Sequence, residues 1–231
     1  MMFKEHLRQH FKIVLTKKQE EQFESYFNKL VEYNKHTNLT TITERKEVYY
    51  KHFYDSLTLL PFIKNENASL CDMGSGAGFP SIPLKIIYPS LKITIIDSAN
   101  KRVTFLKQLV ELLKLEDVTI SHSRVEEYGL KNQEKFDIVT ARALGNFTLI
   151  SEMALPMLKV GGTFLVMKGS RGKEELNEAQ NALKILSGKV VNEMNLELPY
   201  DYGMRSIFKV EKTKHVKGYP RRYPEMLKKP L

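Results

Sequence analysis

The chain has 231 residues, of which 36 are Lys or Arg and 27 Asp or Glu, with six histidines, one cysteine and a formal net charge of +9. This length suits one core with an added subdomain, the lone cysteine excludes an internal disulfide, and no apolar run approaches the roughly 18 residues of a membrane span. Residues 1–18 mix charges with apolar side chains and hold no secretory apolar stretch, so the expected compartment is the cytoplasm.

The first 65 residues read as helical. Thr16 and Gln19 are spaced as a capping box. Behind them Phe23, Tyr26, Phe27, Leu30, Val31 and Tyr33 recur at three- and four-residue steps, an amphipathic stripe that fits a core face better than a base-stacking surface. A second helix is expected over residues 44–60, stopped by Pro61.

From about residue 68 to 168 strand-like and helix-like segments alternate. Strands are expected over 69–73, 92–97, 118–121, 136–140 and 163–167, the last entered through a turn at Gly161-Gly162. Helices are expected over 82–88, 100–115 and 149–158; the second carries apolar residues at 103, 106, 109, 110 and 113. That alternation means βαβ units and a parallel sheet. A further helix over 173–186 and two β-rich segments, 189–198 and 205–212, follow; with no helix between them, these two should close the sheet antiparallel. Residues 205–231 hold nine Lys/Arg against two Glu, which fits a solvated tail or a surface for a polyanion.

The most informative stretch is Asp72-Met73-Gly74-Ser75-Gly76-Ala77-Gly78-Phe79-Pro80, between the first strand and its helix. A ligand binds there at the carboxyl edge of a parallel sheet, and glycine lets the backbone turn and approach it closely. The dinucleotide fingerprint G-x-G-x-x-G would need glycine where Phe79 stands, and Phe79 would crowd a pyrophosphate. Asp97 ends the second strand, where a carboxylate can accept both hydroxyls of a ribose; its alternative is a turn or cap residue before the next helix.

The glycine loop resembles motif I of the Rossmann-like S-adenosylmethionine methyltransferases. Asn34, Asn38-Leu39-Thr40, His52-x-x-Asp55-Ser56, the run from Gly76 to Leu84, Asp97-Ser98, Lys101-Arg102, Arg124-Val125-Glu126, Ala141-Arg142-Ala143, Gly161-Gly162, Lys168-Gly169 and Tyr219-Pro220-Arg221 together resemble one family across nearly the whole chain. It is the ribosomal small-subunit methyltransferase G (GidB) family. Two departures stand out: Tyr33 where the family often has tryptophan, and Tyr223-Pro224-Glu225-Met226 in place of a frequent Gly-Thr-Pro segment.

The resemblance implies an α/β fold: a Rossmann-like class I methyltransferase domain with a seven-stranded, mostly parallel sheet over residues 67–231, ending in the basic tail, and an N-terminal helical extension over residues 1–66. It implies methyl transfer from S-adenosylmethionine to N7 of a guanosine in the 530 loop of 16S rRNA (nucleotide 527 by convention), with 16S rRNA or the 30S subunit as partner and a monomer as the working form. Cofactor contacts are expected at Gly74, Gly76, Gly78, Phe79, Asp97, Val125, Glu126 and Arg142. RNA contacts are expected at Lys101, Arg102, Lys168, Arg221 and Arg222, each with a plain surface charge as its alternative. Arg142 is placed just beyond the fourth strand, with a cofactor or phosphate role favoured over guanine N7, since pairing with N7 would block the acceptor.

Guanine N7 carries an in-plane lone pair and no proton at neutral pH, so no general base is required and no catalytic residue is assigned. The six histidines and Cys71 form no zinc arrangement, and no metal is expected. His52 and Asp55, three apart on one helix face, read as structural, shaping an RNA-facing cleft, and Cys71 reads as a buried small hydrophobe. Three rival readings are a nicotinamide-dependent oxidoreductase, a non-catalytic RNA-binding protein on the same fold, and the same chemistry on tRNA or a protein amide.

Overall fold

The structure, a computed structural model, describes residues 2–231. Seven strands form one sheet in the order β3-β2-β1-β4-β5-β7-β6. They are β1 (Ser69–Met73), β2 (Lys92–Asp97), β3 (Val118–His122), β4 (Phe136–Arg142), β5 (Leu158–Lys168), β6 (Gly188–Glu197) and β7 (Met204–Lys212). The first five run parallel; β7 pairs antiparallel with both β5 and β6. Strand order reverses between β1 and its neighbours β2 and β4, which opens a crevice at the carboxyl edge of the sheet.

Both faces of the sheet are covered, which is why consecutive residues of its central strands are buried rather than alternate ones. Side chains of a strand point to opposite faces in turn. In β1 Leu70 joins one apolar cluster while Cys71 and Met73 join the other. The first cluster unites the N-terminal helices with the sheet: Leu7 of α1 (Met2–Phe11), Phe23, Tyr26 and Leu30 of α2 (Lys17–Thr37), and Phe53 pack with Ile82, Leu106, Ile95 and Leu165. The second lies under α7 (Val125–Lys131), α8 (Phe147–Ala154), α9 (Gly172–Glu178) and α10 (Gln180–Ile185), and takes in Val216 and Met226 of the C-terminal segment.

The capping box at Thr16 and Gln19 opens α2, and Asn38, left-handed at φ 50°, closes it. The expected helix over 44–60 is one helical run in three pieces: α3 (Arg45–Glu47), a π-helical stretch (Val48–Tyr54) and α4 (Asp55–Leu57). Tyr49, Tyr50, His52, Phe53 and Tyr54 of the π-helical stretch are all buried. Between β1 and β2 lies α5 (Ser81–Ile87), and between β2 and β3 lies α6 (Asn100–Leu112), with Val103, Leu106 and Leu109 buried as its spacing predicts.

Several boundaries move. Gly161-Gly162 lie within β5, which starts at Leu158; pairing with β4 jumps from Phe136–Leu158 to Ile138–Thr163. A Cβ on Gly162 would stand 2.8 Å from the Lys159 carbonyl, so only glycine fits this bulge. The helix after β5 breaks at Ala179 into α9 and α10. The basic C-terminus is packed, not free: Pro220 and Met226 are buried and α11 (Tyr223–Lys228) ends it. Among the described residues no helix is long and apolar enough to cross a membrane.

Candidate active site

The carboxyl edge of the sheet gathers the expected site residues. Gly74 follows β1, Asp97 ends β2, Val125 and Glu126 open α7 after β3, Arg142 ends β4 and Lys168 ends β5. Arg142 is thus the last residue of its strand rather than a loop residue beyond it.

The glycine loop is left-handed at Gly74 (φ 67°), Gly76 (61°) and Gly78 (100°). Their surroundings differ. A Cβ on Gly78 would meet the Tyr26 hydroxyl at 2.7 Å and Ile82 at 2.8 Å, whereas a Cβ on Gly76 would meet nothing within 4 Å. Gly78 is therefore a packing glycine and Gly76 borders open space. Beside that space Asp97 is buried; one carboxylate oxygen accepts from Gly76 N at 3.2 Å and the other from Ala99 N at 2.9 Å. Asp97 turns the chain into α6, as its alternative reading has it, and also faces the glycine loop. The Ser75 hydroxyl and one oxygen of Asp72, both buried, have no hydrogen-bond partner within the chain. Open space, a carboxylate and an unpartnered hydroxyl at a glycine loop suit the polar amino-acid and ribose parts of a nucleoside ligand.

Phe79 turns its ring away from this space, into the N-terminal helices. It stacks on Tyr26 (centroids 5.3 Å apart) and on His52 (4.5 Å), and the Arg142 guanidinium lies 5.0 Å from its centre. Arg142 is held from the same side: it donates to Asp55 (2.9 Å) and to the Lys51 carbonyl (3.1 Å), and its other terminal nitrogen lies 3.2 Å from His52 Nδ1. The His52–Asp55 spacing thus organises an arginine. His52 Nδ1 also lies 3.1 Å from the Lys51 carbonyl and Nε2 3.1 Å from Thr40 Oγ1; burial, and then Arg142, push the His52 pKa down to about 3, so the ring is neutral.

Next to the glycine loop lies a cleft of about 580 Å³, lined by Lys51, His52, Asp55, Arg142, Lys168, Glu175 and Arg205 among others. Arg205 went unnoticed in the sequence because it opens a strand in the basic C-terminal stretch, and only the sheet order brings it beside Arg142 and Lys168. Each cation here already has an anionic partner: Arg142 and Arg205 share Asp55, Lys168 pairs with Glu175, and Lys51 with Glu47.

The other expected RNA contacts are dispersed. Lys101 donates to the Thr37 carbonyl at the end of α2, and Arg102 lies 3.6 Å from Asp97. Lys168 is almost enclosed, its side chain 9% exposed. Arg221 makes a two-pronged pair with the buried Glu152 of α8. Arg222 is exposed. Among the described residues, no group of three or more His, Cys, Asp or Glu could hold a metal ion. Cys71 is fully buried and burial pushes its thiol pKa well up.

Comparison with known proteins follows this geometry. Solved structures share the fold: the TYW2 protein of M. jannaschii, solved in complex with AdoMet, matches with TM-score 0.55 and 18% identity over 69% of this chain and 75% of that one. A predicted O-methyltransferase of Agrobacterium tumefaciens matches with TM-score 0.58 and 14% identity over 70% of this chain and 82% of that one. Whole-chain relatives are far more similar. The ribosomal RNA small subunit methyltransferase G of Acholeplasma laidlawii is 50% identical over 95% of both chains, and that of Staphylococcus carnosus 47% identical over 98% of this chain and 96% of its own. The family model described as rRNA small subunit methyltransferase G (GidB) matches residues 19–199, from the capping box of α2 to the tip of the β6–β7 hairpin. With helices, glycine loop and strand edge all inside the matched span, the chain belongs to the rRNA small subunit methyltransferase G family.

Proposed function

We propose that this S-adenosylmethionine-dependent rRNA methyltransferase modifies N7 of a guanosine in the 530 loop of 16S rRNA. The family resemblance supports the target. The observation that carries the chemistry is the state of the cleft beside the glycine loop: it holds no free proton acceptor. His52 lies against the Arg142 guanidinium and has its pKa pushed to about 3, Asp55 is shared by two arginines, and Glu175 is bound by Lys168 and by Phe147 N. An acceptor atom that must lose a proton to react would find no base there; guanine N7 needs none.

The residues present fit the cofactor. Gly74, Gly76 and Gly78 shape the loop, Gly76 leaves room above it, and Asp97 offers a buried carboxylate for the ribose diol. Val125 and Glu126 border the same edge after β3. Phe79 contributes through the loop's seating on Tyr26 rather than through an exposed ring. When bound, S-adenosylmethionine supplies a sulfonium methyl that needs no further activation by the protein. The chain's task is then orientation: it brings two reactants together along one line, a gain that can amount to several orders of magnitude. Positive charges around the cleft suit the approach of an RNA strand.

The experiment is transfer of radiolabelled methyl from S-adenosylmethionine to 30S subunits from a strain lacking this protein, with calorimetry of cofactor binding alongside. Cofactor binding with label confined to 16S rRNA is the expected result. Cofactor binding with no label in 30S subunits or their assembly intermediates overturns the target. NADH protecting the fold from heat where S-adenosylmethionine does not would favour the oxidoreductase.

A further inference from the structure

Three cations come to the carboxyl edge of three adjacent strands, Arg142 and Arg205 on the sheet face that carries Met167 and Ile207, and Lys168 on the other face, toward Glu175 of α9. Arg142 ends β4 opposite Met167 of β5; Lys168 follows Met167 and pairs with Ser206 of β7; Arg205 precedes Ser206. Arg142 and Arg205 stand two strands apart, at least about 10 Å between backbones at a strand spacing of about 4.8 Å, and their long side chains meet over Asp55. The helical layer supplies the counter-charges. Asp55, at the junction of the π-helical stretch and α4, is buried and lies between the two arginines: one carboxylate oxygen is 2.9 Å from Arg142 Nη1, the other 2.9 Å from Arg205 Nε.

The balance of charge and of donors is uneven. Lys168 is matched by Glu175 and Lys51 by Glu47, but two guanidiniums share the single charge of Asp55, and His52 is neutral. One positive charge is left over, facing the cleft. A guanidinium carries five N–H donors. Arg142 commits two, to Asp55 and Lys51, with a third directed at His52, and Arg205 commits two, to Asp55 and to the Met204 carbonyl. At least five of the ten remain. Both side chains keep a solvent-facing edge, 18% and 22% exposed. Two guanidiniums with free donors and an excess positive charge match the geometry and charge of a phosphodiester.

We propose that Asp55 is a positioning residue for the methyl transfer: by holding Arg142 on one oxygen and Arg205 on the other, it sets the two guanidiniums side by side as a subsite for one phosphate of the target RNA strand. The inference rests on RNA being the substrate. Asp55 acts through the two arginines, which take both of its carboxylate oxygens. Without its charge the arginines repel each other and the pair spreads, so the loss falls on RNA binding and not on the cofactor.

The test uses the full chain, 30S subunits lacking the modification, and the variants Asp55→Asn, Asp55→Glu and Arg205→Gln. For Asp55→Asn the expected result is a KM for 30S subunits raised about tenfold or more, since a charge-assisted contact is lost. kcat and the Kd for S-adenosylmethionine should change little. The dependence of log KM on log salt should weaken by about 0.7, the value of one phosphate contact on a single strand. Asp55→Glu should recover part of the KM, and Arg205→Gln, which keeps the Asp55–Arg142 pair, should show the same weakened salt dependence with an unchanged melting temperature. If Asp55→Asn fails to fold, Arg205→Gln decides: an unaltered salt dependence overturns the proposal. So does Asp55→Asn with wild-type KM, or with its loss confined to melting temperature and cofactor affinity. If the wild type itself transfers no methyl to 30S subunits, the substrate assignment falls and the phosphate subsite with it. Wild-type transfer with unaffected variants removes only the subsite.

Discussion

The Phe79 ring lies almost parallel to the Tyr26 ring, 5.3 Å away and inclined by 11°, and the Tyr26 hydroxyl donates to the Ala77 carbonyl at 2.5 Å. One residue of α2 thus holds the glycine loop by stacking on one position and hydrogen-bonding another two residues before it. The N-terminal helices are in this way part of the proposed cofactor site although none of their side chains need touch the ligand. Tyr26→Phe keeps the ring and leaves the buried Ala77 carbonyl unpaired. Unfolding in urea should show a loss of about 1–3 kcal/mol, and calorimetry should show weaker S-adenosylmethionine binding. Unchanged cofactor affinity would mean that the loop holds its shape without α2.

The three loop glycines should respond differently to alanine. Gly76→Ala meets no neighbouring atom, so its stability cost is the left-handed strain of about 1 kcal/mol. Its Cβ projects into the space offered to the cofactor, so affinity should fall far more than stability. Gly78→Ala drives a Cβ against the Tyr26 hydroxyl, which its bond to Ala77 holds in place, and should cost about 2–4 kcal/mol. Paired urea unfolding and calorimetry of both variants check this; Gly76→Ala with full affinity would move the cofactor away from the loop.

Stability should carry two opposed pH dependences from one neighbourhood. Burial raises the Asp72 carboxyl to about 7 from an ordinary 3.8, against the pull of the Ser81 contacts and of Arg142, with Asp97 adding to the rise. The folded chain holds this proton more tightly than the unfolded chain, so its contribution is full below about pH 4 and is lost as pH rises through 7. His52, near 3 against 6.5, acts the other way: its contribution is full above 6.5 and is lost as pH falls toward 3. Between pH 4 and 6.5 the two slopes offset each other. In Asp72→Asn the first is removed, so the variant should gain on the wild type by about 1.4 kcal/mol per pH unit across pH 4–7, and run parallel to it below pH 4. Urea unfolding at stepped pH reads this directly; parallel profiles throughout would mean that Asp72 ionises normally.

Arg221 should behave as an anchor. Its guanidinium grips Glu152, which is 1% exposed, and its backbone N–H donates to the same carboxylate. Arg221→Ala leaves that charge buried and unpaired. The cost should be about 2–4 kcal/mol, below the full range for buried pairs because Arg221 is partly exposed. The salt dependence of RNA binding should stay near that of the wild type, whereas Arg222→Ala should weaken it without a change in melting temperature. The opposite pattern would return Arg221 to the RNA surface.

Much of this architecture was legible in the chain. β1 and β2 fall where β-branched and apolar runs place them, and the capping box of α2 forms as its spacing implies. Local chemistry sets those features. The π-helical stretch was not legible, because inward packing of Tyr49, Tyr50, Phe53 and Tyr54 against several elements at once decides it. α7 was missed because it is short, seven residues with a glycine inside. In the site, Asp97 and the glycines announce themselves through strand ends and turns. The Asp55–Arg142–Arg205 cluster joins residues 87 and 150 positions apart and depends on β7 lying next to β5, which no local pattern encodes.

The most direct measurement is to map the methylated nucleotide. After transfer by the purified protein, 16S rRNA is treated with borohydride and aniline, which cleave the chain at 7-methylguanosine, and the breaks are read by primer extension. A single new break at a guanosine in the 530 loop, absent when S-adenosylmethionine is left out, is the predicted result. Methyl incorporated without any such break, or a break elsewhere in the molecule, would contradict it.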